Sequence, residues 1–542
     1  MNKKYIFGLL LVFTFILISF KGVPSIGSIS QDNAVDWSPE TPDIGDDLTI
    51  TYDPSIGTIP ASATSVTLIW SMYVDGNNNI ILPSPEMWPD GTGNADKTAG
   101  RFIETPMIKD GDIWTITFKV NEMPSYFKIA FTDGTNTDKN DGNYWIINTE
   151  MKDNRILARN PSFGTPSFLV QGEALPLIVK GPSTATNWQV TLSRGTTTVT
   201  CTVTDESYDN GMWVLTAQND SVIAAGLYDL TVSATVSAKT RTNVQPHSVS
   251  VISGYKEDFT FIHISDGQIY PDGSGAQSGR GNITETWKYL NTLDAEFIIH
   301  TGDYTEWSDE ISIRKNKVWQ IELLDTPVFH LPGNHDEFEG TGEVGSAKIW
   351  GGGIGSYEIL VGPQKHAWTY GNVSFVFIFS DDRNVEPDDL TWAEEQMAKD
   401  EFQNSATRIL MAHHPLDASY ASETVVGDEL NRMLNDLQTY KVTYYLHGHL
   451  HTYNEHLLNG VQHICAPQTY PYANGPGGYV KYTVEEGIIT NWTLVDFPYE
   501  KPSTSSEEGS TTSSGKASDG FEWILPVVTI ALVLLYRRRR KF

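Results

Sequence analysis

The chain has 542 residues, with 37 Lys and Arg against 67 Asp and Glu and a formal net charge of −30. That length exceeds one ordinary hydrophobic core and predicts two to four domains. The acidic balance argues against a nucleic-acid groove or an anionic lipid surface as the main partner, since both reward Lys and Arg, and it fits a solvated acidic exterior.

Residues 1–30 open with "MNKKYIFGLLLVFTFILISF", in which Lys3 and Lys4 precede an unbroken apolar run, followed by small residues around "GSIS". This pattern reads as a secretory signal peptide, so the domains behind it are expected to be exported. Residues 31–159 contain short alternating runs ("DLTITY", "SVTLIWSMYV", "IWTITFKV") between Gly, Asn, Asp and Pro turns, and predict a β-sandwich. Its stretch "FTDGTNTDKNDGNYWIIN" resembles the Asp/Asn/Gly-rich loop and following Trp of Ig-like starch-binding modules. Trp70, Trp88, Trp114 and Trp145 therefore have two readings, core aromatics or a platform for glycan contact, and alternation along strands favours the core.

Residues 160–255 ("LPLIVKG", "WQVTLSRG", "MWVLTA", "GLYDLTVSATV") predict a second, Ig-like sandwich with no cluster of reactive side chains, a spacer or docking module. Of the two cysteines, Cys201 shares a strand face with Val199 and Val203 and reads as a small buried hydrophobe. Cys465 lies in a different domain, so no disulfide framework is implied.

At Asp258 the texture changes. Buried-strand runs ("FTFIHIS", "AEFIIHTG", "TPVFHLPG", "VSFVFIFS", "ATRILMAHH", "VTYYLHGH") alternate with helical patterns ("ITETWKYLNTL", "LTWAEEQMAKDEF"), which predicts an α/β layered domain over residues 258–498. Residues 499–520 are a Ser/Thr/Gly-rich linker. Residues 521–542 join an apolar stretch to a basic end, read as a transmembrane helix with a cytoplasmic C-terminus. The same tail resembles the C-terminal sorting signals of prokaryotic surface proteins, in which case the mature chain carries a different anchor. Either way the chain is expected on the extracellular face of the cell membrane.

Nearly every buried strand of the last domain ends in a side chain able to bind a metal. Asp266 and Gln268 follow the first; Asp303 the second; Asn334, His335 and Asp336 the third; then His413 and His414, and His449 and His451. Strand C-termini of an open α/β sheet converge on one crevice, so these scattered groups are expected to meet. An oxygen-plus-imidazole set without Cys suits Zn, Mn or Fe, and about seven ligands are enough for two divalent ions sharing a carboxylate. His263, His300, His330 and His447 fall inside buried strands and read as core imidazoles.

The ordered motifs "SDGQ", "TGD", "PGNHD", "MAHHP" and "HGHLH" resemble those of the calcineurin-like metallophosphoesterases, over roughly the whole of 258–498. The resemblance implies a four-layer α/β domain holding two divalent metal ions. One would be bound by Asp266, Gln268 and His451, the other by Asn334, His413 and His449, with Asp303 bridging. It implies that His335, oriented by Asp336, stabilises the phosphoryl oxygens or protonates the leaving group while a metal-bridging hydroxide attacks phosphorus. Gln268 departs from the family's usual His and should weaken the first site or favour a harder ion. A β-sandwich before the catalytic domain is also similar to purple acid phosphatases, but their Tyr three residues after the bridging Asp is Glu306 here, which argues against a tyrosinate–iron variant.

The expected function is a cell-surface, metal-dependent phosphoesterase acting on phosphomonoesters or phosphodiesters. The alternative is a non-catalytic surface protein recognising glycan or envelope polymer through its β-sandwich domains. Loop 337–362, with Gly351 to Gly353, is expected to overhang the crevice and set specificity.

Overall fold

The computed structural model describes residues 34–498, apart from 74–79, 82–86, 90–101, 123, 153, 220–222, 271–282, 309, 338–340, 345–346, 351–352 and 470–476. The signal-like N-terminus, the linker and the C-terminal apolar segment lie outside the described residues. Among those described, no helix is long and apolar enough to cross a membrane.

The N-terminal part is all β. A four-stranded antiparallel sheet is built from Val35–Ser38, Asp47–Tyr52, Ile113–Lys119 and Ile108–Asp110, in that order. A six-stranded sheet is centred on Thr67–Tyr73 and Tyr126–Thr132. Alternation drives the layering. Leu48, Ile50 and Tyr52 of one sheet and Leu68, Trp70, Phe127 and Phe131 of the other point into one shared core. Trp70, Trp114 and Trp145 are buried in that core, and Trp88 packs partly buried against it. Trp70, Trp114 and Trp145 each sit at an inward position of their strand, whereas Trp88 lies outside any strand.

The next eight strands form one continuous sheet that doubles over. Its hinge is Thr197–Asp209, which pairs with Thr186–Arg194 through residues 197–201 and with Met212–Gln218 through residues 202–209. Side chains from both halves, Leu177, Val179, Val190, Leu192, Leu215, Val232 and Cys201 among them, close one core, with Val199 and Val203 packed beside it.

The final part has two sheets with helices. We label its elements β1 (Phe259–Ile264), α1 (Ile283–Leu290), β2 (Ile298–His300), α2 (Glu310–Leu323), β3 (Val328–His330), α3 (Gly353–Leu360), β4 (Lys365–Tyr370), β5 (Val373–Ile378), α4 (Pro387–Met397), α5 (Asp400–Asn404), β6 (Thr407–Met411), α6 (Gly427–Thr439), β7 (Tyr444–His447), β8 (Asn454–Leu458), β9 (Val461–Cys465), β10 (Gly478–Glu485) and β11 (Ile488–Asp496). The first sheet runs β3-β2-β1-β10-β11, and the second β4-β5-β6-β7-β9-β8. In each, the central pairs (β1 with β2, β2 with β3, β5 with β6, β6 with β7) are parallel, so their C-termini leave the sheets at the same end.

The sheets pack face to face through Phe261, Phe297, Ile299, Phe329, Phe375, Ile409, Met411, Leu446 and Tyr482. Against the outer face of the second sheet lie α4, α5 and α6, through Leu390, Met397, Phe402, Met433 and Leu437. Sequence dictates where α4 starts: Pro387 pre-sets the first turn and Asp388 and Asp389 meet the positive helix end. The predicted specificity loop is not irregular throughout. It contains a short strand pair, Thr341–Val344 with Ala347–Trp350, and α3.

The connection between the first two strands of the doubled sheet, Leu157–Asn160 and Ser167–Val170, is sewn into this final part. Arg159 Nη2 bonds Glu358 Oε1 at 2.8 Å, Gly164 N donates to Val361 O, and His330 N of β3 donates to Gly164 O, both at 2.8 Å. Phe163 is buried with its ring stacked on His330, and Phe168 packs edge-on against Tyr370 within the inter-sheet core. Full burial of a phenylalanine is worth roughly 2 kcal/mol, which Phe163 contributes to the attachment, and the partly buried Phe168 adds less.

Candidate metal centre

The loops leaving β1 and β2 run side by side, held by backbone hydrogen bonds from Asp266 N to Gly302 O (3.0 Å) and from Gln268 N to Asp303 O (2.8 Å). That pairing forces an unusual backbone. Asp266 (φ 53), Gln268 (φ 41), Asp303 (φ 58), His449 (φ 71) and His451 (φ 58) all sit in the left-handed region, which non-glycine residues avoid. Five such residues at one locus are strain that the surrounding packing holds in place, as functional sites do.

Two glycines make the approach possible. A Cβ on Gly302 (φ +108) would lie 2.4 Å from His413 Nδ1, and one on Gly333 would lie 2.2 Å from Asp303 Oδ1. The "TGD" and "PGN" motifs thus need glycine so that three strand ends can close on one carboxylate.

Asp266, Asp303 and His413 form the buried centre, with one ligand atom from each within 4.8 Å of the others. His413 Nδ1 donates to Thr301 O at 2.7 Å, so its Nε2 is the atom left to hold a proton or a metal ion, and it faces Asp303 Oδ2 at 3.3 Å and Asp266 Oδ1 at 3.9 Å. Neither His413 Nε2 nor Asp266 Oδ1 has a hydrogen bond. Two buried carboxylates and an imidazole nitrogen directed at one point are stable only around positive charge. Burial alone would lower the basicity of His413, but Asp303 and Asp266 outweigh it and lift its pKa to about 9. Burial likewise opposes ionisation of Asp303, and His413 and His335 more than offset it, holding its carboxyl well below the usual range. The donor set therefore fits a divalent cation, which would displace that proton.

Around this centre the structure places each sequence-predicted residue. His451 Nε2 lies 3.3 Å from Asp266 Oδ1. His449 donates its backbone N–H to Asp266 Oδ2 at 3.0 Å, and its ring Nδ1 lies 3.2 Å from Asn334 Oδ1. The His449 ring stands edge-on to His413, 5.2 Å between centroids. Gln268 turns its amide nitrogen to Asp303 Oδ2 at 3.3 Å, so its oxygen points elsewhere unless the amide rotates by half a turn. His414 faces away from the carboxylates, with Nδ1 on Ser380 Oγ at 3.0 Å. His263, His300, His330 and His447 are fully buried within the strands.

His335 and Asp336 part company. Asp336 directs its oxygens at backbone N–H groups of Tyr304 (3.0 Å), Thr305 (3.2 Å) and Gly333 (2.9 Å), and so ties the loop after β2 to the loop after β3. Burial, reinforced by Asp303, raises its pKa to about 7 against the pull of those donors. The imidazole of His335 is met instead by Glu306. Its Nδ1 donates to the Glu306 carbonyl oxygen at 2.8 Å, and the Glu306 carboxylate lies 3.5 Å from the same nitrogen. The expectation that Asp336 orients His335 is thus corrected. An N-terminal 3₁₀ turn over Asn334–Asp336 points Asp336 back into its own loop, while Glu306 reaches the ring. Burial raises the Glu306 pKa to about 7. In the sequence Glu306 stands out only as a departure from a tyrosine, and its place three residues after Asp303 is the one signal it gives.

Residues 259–453 match the model of the calcineurin-like phosphoesterase family. No curated protein matches the chain. Among solved structures, a conserved uncharacterized protein from Streptococcus pneumoniae TIGR4, described as a predicted phosphoesterase, is similar at 12% identity over 45% of this chain and 94% of its own, with a TM-score of 0.24. A novel archaeal phosphodiesterase is similar at 12% identity over 44% of this chain and 99% of its own, TM-score 0.25. GAP50, the anchor in the inner membrane complex of Plasmodium, is similar at 14% identity over 46% and 91%, TM-score 0.28. At TM-scores this low the likenesses add nothing to the family match.

Proposed function

Residues 259–453 form a calcineurin-like phosphoesterase domain, a metal-dependent hydrolase, and from that premise we propose that the chain is a dinuclear phosphoesterase working outside the cell. The observation that carries the metal reading is the buried meeting of Asp266, Asp303 and His413 around an uncompensated point. One divalent ion would be held by Asp266, His451 and, after amide rotation, Gln268, and another by Asn334, His413 and His449, with Asp303 available to both. Mn, Zn and Fe all suit such oxygen-and-imidazole donors.

Two such cations supply Lewis-acid charge for phosphoryl oxygens and make water acidic enough to attack at neutral pH. The chain's own residues do the rest. His335, whose side chain is 21% exposed, is the most exposed imidazole of the group, and its Nδ1–H is fixed on Glu306. Its Nε2, 3.9 Å from Asp303 Oδ2, is the atom that hands a proton to the departing oxygen of a phosphomonoester or phosphodiester. Asp336 keeps the two loops that carry Asp303 and His335 in register.

Export is supported by the Lys3, Lys4 and apolar run, and display at the membrane by the apolar tail ending in Arg537 to Lys541. Protease shaving of intact cells should release fragments of residues 34–498; protection until lysis would refute this placement. Activity is tested with purified protein on bis(4-nitrophenyl) phosphate and 4-nitrophenyl phosphate under Mn, Zn and Fe. Asp303→Asn and His413→Ala should each lose about 10²- to 10³-fold in kcat/KM, as removal of a charge-stabilising group does. Full turnover by the chelated protein, or by Asp303→Asn, would end the proposal.

A further inference from the structure

His449 is gripped at both ring nitrogens. Nδ1 lies 3.2 Å from Asn334 Oδ1, and Nε2 lies 2.9 Å from Glu423 Oε2. Both neighbours are acceptors, yet a neutral imidazole has a single N–H. A carboxylate is the stronger acceptor, so the N–H belongs on Nε2. The lone pair is then on Nδ1, facing the amide oxygen of Asn334. Two lone pairs at that distance attract only through a cation held between them.

Glu423 is not carried on a free loop, although its side chain is 62% exposed. Thr424 and Val425, the next residues, are buried. Val425 N donates to Pro415 O at 3.0 Å, which closes segment 415–426 on itself. Val426 N donates to Arg383 O at 3.0 Å, and Arg383 Nε donates to Thr424 O at 2.9 Å, which pins the segment to the turn after β5. The backbone is thereby set so that the carboxylate returns to the His449 ring.

We propose that Glu423 is a positioning residue, which fixes the tautomer of His449 and so presents Nδ1 to the cation shared with Asn334. The inference rests on the dinuclear reading above. A carboxylate behind a metal-bound imidazole orients the ring and raises its basicity, and its loss typically weakens metal affinity by about 10- to 100-fold. The exposure of Glu423 places the effect at the low end, about tenfold.

The test is Mn²⁺ titration of the full folded chain by calorimetry, comparing wild type with Glu423→Ala, Glu423→Gln, His449→Ala and the exposed control Glu395→Ala. In Glu423→Ala the Mn²⁺ affinity of the site that includes Asn334 and His449 should fall about tenfold while the other stays as in wild type. Glu423→Gln, whose amide oxygen can still accept the N–H, should fall between it and wild type. His449→Ala should lose that ion, and Glu395→Ala should match wild type. If Glu423→Ala binds both ions as wild type does while His449→Ala loses one, this inference fails and the dinuclear reading stands. If wild type binds fewer than two ions, the dinuclear reading fails and takes the inference with it; if His449→Ala binds both ions as wild type does, His449 holds no ion and the inference alone fails.

Discussion

Replacing Gly333 by Ala puts one methyl group where the centre has no room. The new Cβ would fall 2.2 Å from Asp303 Oδ1, 2.5 Å from Asp303 N and 2.9 Å from His413 Nδ1, whereas ordinary contact begins near 3.4 Å. Two of those three atoms are in the backbone or in a ring already hydrogen-bonded to Thr301 O, so relief must come from moving the Asp303 carboxylate or the loop itself by about 1 Å. Asp303 would then lose the 3.0 Å bond from His335 N and its 3.3 Å approach to His413 Nε2. A displacement of about 1 Å at a reacting centre costs about 100-fold in rate, or about 2.7 kcal/mol of transition-state stabilisation, and overpacking adds about 1–3 kcal/mol of lost fold stability. Phosphodiester turnover under saturating Mn²⁺, measured beside urea unfolding, separates the two effects. Gly254→Ala, whose Cβ would meet nothing within 4 Å, is the control. Should Gly333→Ala keep kcat/KM within threefold of wild type, the claim that these strand ends close on Asp303 is wrong.

Glu306→Ala removes the carboxylate beside His335 but leaves the backbone carbonyl that holds Nδ1; kcat should fall about tenfold with KM and Mn²⁺ affinity unchanged, and an unchanged kcat would show that the carbonyl alone suffices. Between the first sandwich and the doubled sheet, Asp43 bonds Arg241 Nη1 at 2.5 Å and Lys239 Nζ at 2.8 Å, and Arg241 is buried. Asp43→Ala strands that guanidinium and should cost about 3 kcal/mol at pH 7 by urea unfolding. Burial resists ionisation of Asp43, but Lys239 and Arg241 prevail and hold its pKa below 3.8 in the fold. Its contribution is therefore complete above that value and is lost as pH falls through the lower folded one, so the gap between wild type and Asp43→Ala should narrow in acid. A gap independent of pH would assign the loss to packing instead.

Much of the centre was legible because its residues follow long apolar runs. A parallel strand buried on both faces leaves a clear signature, and the polar residue that breaks it marks the crevice end, as Asp266, Asp303 and Asn334 do. The sorting of neighbours was not. Asp336 adjoins His335 in sequence, yet a tight turn sends it to the backbone of residues 304 and 305, while Glu306 arrives from another strand end. Glu423 gave no signal at all, since an exposed glutamate on a polar loop is ordinary until its neighbours in space are known. The tryptophans show the opposite case. Alternation along Thr67–Tyr73 and Ile113–Lys119 already favoured burial for Trp70 and Trp114, and their side chains lie there.

The seam at residues 159–168 makes the upstream β-structure part of the catalytic scaffold. The strand ending at His330 leads directly into Asn334, and that strand is hydrogen-bonded to Gly164 and covered by Phe163. Cutting the chain at Asp258 would therefore strip a wall from the enzyme and leave Phe329 and Tyr370 facing water. Strain applied to the upstream β-structure would, by the same route, reach the loop that carries Asn334 and His335.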